Sequence, residues 1–133
     1  KLDGLYVDSA PDLLIPVPLH PKRLRDRGFN QALEIADVIS DCCRIPIDNR
    51  CCRRVKHTDA QRNLSAKQRQ RNISNAFRVD REIAARKVAI VDDVVTTGAT
   101  VTELSKTLLR NGVEEVHVWA VARTTAPTAI HAG

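Results

Sequence analysis

Aromatic residues make up only 3% of this 133-residue chain, so its core must be aliphatic and a surface that binds nucleic acid by stacking bases on aromatic rings is disfavoured. No apolar run approaches the roughly 20 residues of a membrane-spanning helix, and the N-terminal residues lack the charged-then-apolar pattern of a signal peptide. The expectation is a cytoplasmic protein with no membrane partner. Four cysteines occur as adjacent pairs, Cys42-Cys43 and Cys51-Cys52, without the CxxC spacing that lets two thiolates converge on zinc. Cys51 and Cys52 are therefore expected to be small buried hydrophobes, facing opposite ways if both lie on a strand. Internal repeats and low-complexity tracts are absent.

What remains is the balance of one ordinary globular domain, 43% hydrophobic and 28% charged, of a size that supports a single core. The formal charge of +5 suits a polyanionic ligand without choosing among nucleotide, pyrophosphate ester and nucleic acid. Leu13 to Val17 reads as a buried strand, closed by Pro16, Pro18 and Pro21 into a constrained loop. Lys22, Arg23, Arg25 and Arg27 make that loop basic. Gly28 and Asn30 then mark the entry to a helix whose Ala32, Ile35, Ala36, Ile39 and Cys43 form an amphipathic stripe. Ile45 to Val55 reads as extended, interrupted at Pro46 and Asn49. Lys56 to Arg71 is polar and basic, a candidate mobile loop, with Ser65 capping a short helix through Asn72. Ala76 to Val79 is a further short strand.

The last third carries the clearest pattern. Val88 to Val91 is a continuous apolar run, as in strands buried on both faces. A loop follows, then a helix striped by Val101, Leu104 and Leu108 and closed at Asn111-Gly112 by a left-handed cap, then a strand from Val116 to Ala122. Repeated strand, helix and strand units predict an α/β fold, a mainly parallel sheet flanked by helices.

In such sheets ligands bind beyond the carboxyl ends of the strands, which points to the loop leaving Val91. Thr96, Thr97 and Thr100 offer hydroxyls, Gly98 allows close backbone approach, and the next helix aims its N-terminal amides there. That is a cup for a phosphate monoester. Asp92 and Asp93 are poorly suited to phosphate but well suited to accept hydrogen bonds from neighbouring sugar hydroxyls. A sugar phosphate satisfies both halves. The plainer alternative is that the two aspartates cap a turn and the threonines merely start a helix.

The segment Val88-Ala-Ile-Val-Asp92-Asp93-Val-Val-Thr96-Thr97-Gly98-Ala99-Thr100 resembles the ribose-phosphate signature of type I phosphoribosyltransferases over its whole length. Two further blocks, Pro16 to Gln31 and Thr58 to Asn72 ending near Phe77, resemble the ComF/GntX proteins of that superfamily. The resemblance implies the type I phosphoribosyltransferase fold and binding of 5-phosphoribosyl 1-pyrophosphate with magnesium, held through the ligand and Asp92 and Asp93. It implies that Asp92 and Asp93 hold the ribose 2- and 3-hydroxyls, and that Val94, Val95, Thr96, Thr97, Gly98, Ala99 and Thr100 wrap the 5-phosphate. Pro18, Leu19 and His20, with Arg23 or Arg27, would form a pyrophosphate loop. Gln61, Leu64, Arg69 and Asn72 would belong to a flexible loop over the reacting centre. The implied reaction is transfer of the phosphoribosyl group with release of pyrophosphate. Single-stranded DNA is an alternative partner, suggested by the family's association with competence and DNA utilisation, and a homodimer is a further expectation. Relatives usually carry a cysteine-rich zinc module and a hood that selects the acceptor. Neither is found in this sequence, which reads as one phosphoribosyltransferase-like domain over residues 1–133 with no acceptor defined.

Overall fold

The computed structural model describes residues 10–56, 67, 73–95 and 98–123. Its centre is a parallel sheet of β1 (Leu13–Pro16), β4 (Lys87–Val95) and β5 (Glu115–Arg123), in the order β1-β4-β5. The long apolar run of β4 is explained by its two covered faces. Val88 and Ile90 join one core with Ile15, Val101, Leu104, Leu108 and Val116. Ala89 and Val91, whose side chains alternate with those, join a second core with Leu14, Ala36 and Ile45. Each fully buried branched aliphatic residue contributes roughly 1.5–3 kcal/mol of apolar transfer free energy, so the central strand is the best-anchored element.

Helix α2 (Gln31–Cys43) covers the second face and helix α3 (Ala99–Arg110) the first. In α2 the expected stripe is present at Ala32, Ile35, Ala36 and Ile39, but Cys43 is exposed because the helix ends there, at left-handed Arg44. In α3 the expected residues are buried, and the left-handed position that closes the helix is Gly112, φ 99°, rather than Asn111, φ −106°. Among the described residues no helix is long and apolar enough to cross a membrane.

Two regions differ from the sequence reading. The basic stretch after β1 is in part a short helix, α1 (Pro21–Arg27), with no buried residue. His20 caps it, Nδ1 accepting the Lys22 N–H at 3.1 Å, Pro21 supplies a preset first position, and Gly28 ends it at φ 85°. Capping signals made this helix without an apolar stripe, so periodicity could not reveal it. The second difference is that β4 runs on past Val91, pairing Asp92 with Ala120, Val94 with Ala122 and Val95 with Arg123. The expected loop residues Val94 and Val95 are thus strand residues, because β5 is long enough to partner them.

The Ile45–Val55 stretch is extended in part and, as expected, interrupted at Asn49, where the chain bends over residues 49–51 with Asp48 Oδ1 accepting the Arg50 and Cys51 N–H groups. Ile47 bridges to Leu14 beside β1, and β2 (Cys52–Arg54) pairs antiparallel with β3 (Phe77–Val79) as a separate ribbon. Cys51 and Cys52 are buried free thiols, Cys51 lying just before the strand, whereas Cys42 and Cys43 are exposed.

Candidate functional site

The carboxyl ends of β1 and β4 open on the same edge of the sheet, where Val17 N–H donates to the Val91 carbonyl at 2.9 Å. Asn30 fixes the chain leaving β1. Its Oδ1 accepts the Ala32 N–H at 3.0 Å as the cap of α2, while its Nδ2 donates to the Val17 carbonyl at 3.1 Å. Pro18, Leu19 and His20 are half-buried between these anchors, and α1 follows with Arg23 and Arg27 one turn apart on an exposed helix.

Asp92 and Asp93 are both half-buried on β4. The Asp92 Oδ1 accepts the Asp93 N–H at 2.9 Å, and the Asp93 Oδ1 accepts the Val94 N–H at 2.9 Å. Burial, helped by the hydrogen bond and the charge of Asp93, pushes the Asp92 carboxyl up to about 7. For Asp93 burial acts upwards too, but the hydrogen bond from Asp92, the backbone N–H groups and the charge of Arg27 outweigh it and hold the carboxyl below its ordinary range. Below about 7 the pair therefore holds a proton on Asp92 and carries one negative charge, and above it both carboxylates are ionised.

Beyond the pair, Gly98 opens α3 in a left-handed conformation, φ 84°, and its carbonyl accepts the Thr102 N–H at 2.9 Å. A residue with a β-carbon would be strained at that φ. As the cap is glycine, no cap side chain competes for the first-turn N–H groups, which with the helix dipole favour an anion. Ala99 and Thr100 are half-buried in that turn. The expected phosphate-loop residues Thr96 and Thr97, and the expected flexible-loop residues Gln61, Leu64, Arg69 and Asn72, lie outside the described residues, as does the helix expected after Ser65.

Charges on two other elements act on the carboxylates. Arg27 of α1 acts on Asp93. Arg54 of β2, which no motif had singled out, has its guanidinium 5.6 Å from the ring centroid of Phe77, its partner across the ribbon. Burial and the nearby charge of Arg23 lower the proton affinity of Arg54, whereas Asp92 raises it. Arg23 and Arg54 are therefore two like charges held near one another beside a carboxylate, an arrangement that an anion would relieve. The only hint in the sequence is the basic pair Arg53-Arg54 ahead of the polar stretch.

Among the described residues no group of three or more His, Cys, Asp or Glu side chains can hold a metal ion by itself. Two carboxylates do suit a magnesium ion that takes its other oxygens from a ligand diphosphate and water.

Residues 27–129 match the phosphoribosyl transferase domain family. The chain is 48% identical over 118 residues to Competence protein F of Haemophilus influenzae, covering 86% of this chain and 52% of that protein. It is 44% identical over 116 residues to DNA utilization protein YhgH of Shigella flexneri, covering 87% and 51%. It thus spans about half the length of the curated relatives it matches. The solved structure of the allosteric regulatory enzyme of purine biosynthesis aligns with a TM-score of 0.53 at 22% identity, over 87% of this chain and 23% of that one, a likeness of fold. With its parallel sheet flanked by helices, this chain has the type I phosphoribosyltransferase fold and belongs to the phosphoribosyl transferase domain family.

Proposed function

We propose that this chain binds 5-phosphoribosyl 1-pyrophosphate and transfers its phosphoribosyl group to an acceptor, releasing pyrophosphate. The observation that carries the reading is the half-buried Asp92-Asp93 pair at the end of the central strand, closely followed by the glycine-capped N-terminus of α3. The 5-phosphate would accept hydrogen bonds from the turn at Gly98, Ala99 and Thr100 together with Thr96 and Thr97. Asp92 and Asp93 would accept from the 2- and 3-hydroxyls, and Pro18 to His20 with Arg23, Arg27 and Arg54 would face the diphosphate.

In the reaction the bond from the anomeric carbon to diphosphate breaks, the diphosphate leaves with the electron pair, and the acceptor forms the new bond and gives up its proton. Positive charge develops on the ribose ring, so the transition state is favoured by holding the ring rigidly and by cations around the departing diphosphate. Magnesium, bound through the diphosphate and the two carboxylates, would supply further neutralisation of that charge.

Titration calorimetry with the activated sugar and magnesium tests the binding. Wild type is expected to give saturable binding. Asp92→Asn/Asp93→Asn is expected to weaken it by at least about tenfold to a hundredfold, since even one of the two charge-assisted hydrogen bonds is worth roughly 1.5–3 kcal/mol. Unchanged affinity in the double variant would refute the assignment of the carboxylates. Pyrophosphate release over a panel of bases tests the transfer, and binding without release for any acceptor would reduce the reading to a sugar-phosphate sensor.

A second reading, a non-catalytic DNA-utilisation protein, draws on the names of the relatives and on the exposed cations of α1, Lys22, Arg23, Arg25 and Arg27. It requires affinity for single-stranded DNA that falls steeply with salt. Absence of binding at low salt would exclude it.

A further inference from the structure

Helix α3 buries Val101, Leu104 and Leu108 as its apolar stripe requires, but Glu103 is buried as well, at 6% exposure. A carboxylate in such a place is unfavourable unless hydrogen bonds and opposite charge replace the lost water. Glu103 has both. Its Oε2 accepts the backbone N–H of Asn75 at 3.1 Å, and the Arg110 guanidinium lies 3.8 Å from the same oxygen. Asn75 is in the left-handed conformation, φ 58°, in the turn that feeds β3. This is a bond between elements far apart in sequence rather than a local cap.

The same turn is fastened to β2. Lys56 Nζ donates to the Ser74 carbonyl at 2.6 Å, and Val55 N–H donates to the Ala76 carbonyl at 2.6 Å. The next pair along the ribbon is Arg54 with Phe77, where the guanidinium whose charge acts with that of Asp92 lies over the ring. One carboxylate of α3 therefore pins the turn at the end of the ribbon that carries Arg54, a ribbon whose Cys52, Ala76 and Phe77 also pack in the core with Leu104 and Leu108. That carboxylate sits a single turn beyond Ala99, at the start of the same helix.

We infer that Glu103 is a positioning residue. It sets the β2–β3 ribbon, and with it Arg54, in register with the N-terminal turn of α3, so that a ligand with anionic groups at both ends meets two fixed partners. The inference rests on the proposed function for its ligand, and it adds a selectivity which that reading does not contain. A ribose carrying only a 5-phosphate meets the helix terminus and the Asp92-Asp93 pair, neither of which lies on the ribbon, and is insensitive to it. A ribose carrying both a 5-phosphate and a 1-diphosphate spans the two elements, and any error in their registration falls on its affinity.

The test uses Glu103→Gln, which keeps an oxygen to accept the Asn75 N–H, and Glu103→Leu, which keeps bulk without an acceptor. Glu103→Met is a second acceptor-free variant should the leucine protein fail to fold. Calorimetry with ribose 5-phosphate and with 5-phosphoribosyl 1-pyrophosphate plus magnesium is run beside amide hydrogen exchange at Asn75. The acceptor-free variant is expected to bind the diphosphate ester about tenfold or more weakly while ribose 5-phosphate changes by less than about twofold. Glu103→Gln is expected to match wild type with both, and Asn75 to exchange faster only in the acceptor-free variant. Equal losses for the two ligands, or a glutamine variant as impaired as the leucine one, would overturn the inference. If wild type binds neither sugar phosphate, the proposed function is what fails. Exchange at Asn75 then decides alone, and unchanged exchange in the acceptor-free variant overturns the role of Glu103.

Discussion

Asp92→Asn should remove a pH dependence of stability that wild type shows between about pH 4 and 7. The unfolded carboxyl titrates at its ordinary 3.8, whereas in the folded chain burial and Asp93 keep the proton on to about 7. Between those values the folded state binds a proton that the unfolded state has released. The slope of unfolding free energy with pH is then negative: the contribution is complete below 3.8, declines as pH rises and is gone above about 7. Taken at full strength, a rise of that size corresponds to roughly 4 kcal/mol, at about 1.4 kcal/mol per tenfold in proton affinity. Asp92 keeps part of its surface in water and the opposite displacement of Asp93 is coupled to it, so the expected amplitude is about 1–3 kcal/mol. Urea unfolding of both proteins at about pH 5 and pH 8, without divalent cations, measures it as a difference of differences that cancels the histidines common to both. Wild type is expected to lose more stability than the asparagine variant across that interval. Equal losses would refute a strongly raised Asp92.

Two other substitutions test the scaffold under the site. Asn30→Ala removes the α2 cap and the bond to the Val17 carbonyl, and should cost about 1–2 kcal/mol in urea unfolding; a midpoint equal to wild type would count against the anchoring described. Leu104→Ala empties a fully buried position of α3 and should cost about 2–5 kcal/mol with an unchanged denaturant slope, whereas a loss below about 1 kcal/mol would show that the core closes over the gap.

The centre of the fold was legible because its pattern is carried by side chains that alternate or repeat. Val88 to Val91 are buried on both faces, Val101, Leu104 and Leu108 lie on one stripe, and Val116 to Ala122 continue the sheet. The Asp92-Asp93 pair could be read for the same reason, since it ends a run whose burial was already plain. Helix α1 could not be read from periodicity, as it buries nothing and exists by its caps. The ribbon was harder still. Each of its strands has three residues, and Cys52 pairs with Val79 across the intervening polar stretch, so neither strand shows a period of its own. Arg54 and Glu103 acquire their roles only when that long-range pairing is formed, which is why composition and local spacing pass over both.

The charge distribution around the site follows from that division of labour. The sheet fixes the acid pair within one strand, while the cations come from two other elements, the exposed helix α1 and the strand β2, whose ribbon packs into the main core through Cys52, Ala76 and Phe77 and is tied to α3 by Glu103. A sugar held by the acid pair, with cations already in place at the other end, suits a reaction in which the ring must be held still while charge builds on the departing diphosphate. Variants that loosen the ribbon should therefore act on the diphosphate end of the ligand, and variants in β4 on the sugar. Comparing the two sugar phosphates across both sets of variants separates the two halves of the site without knowledge of the acceptor.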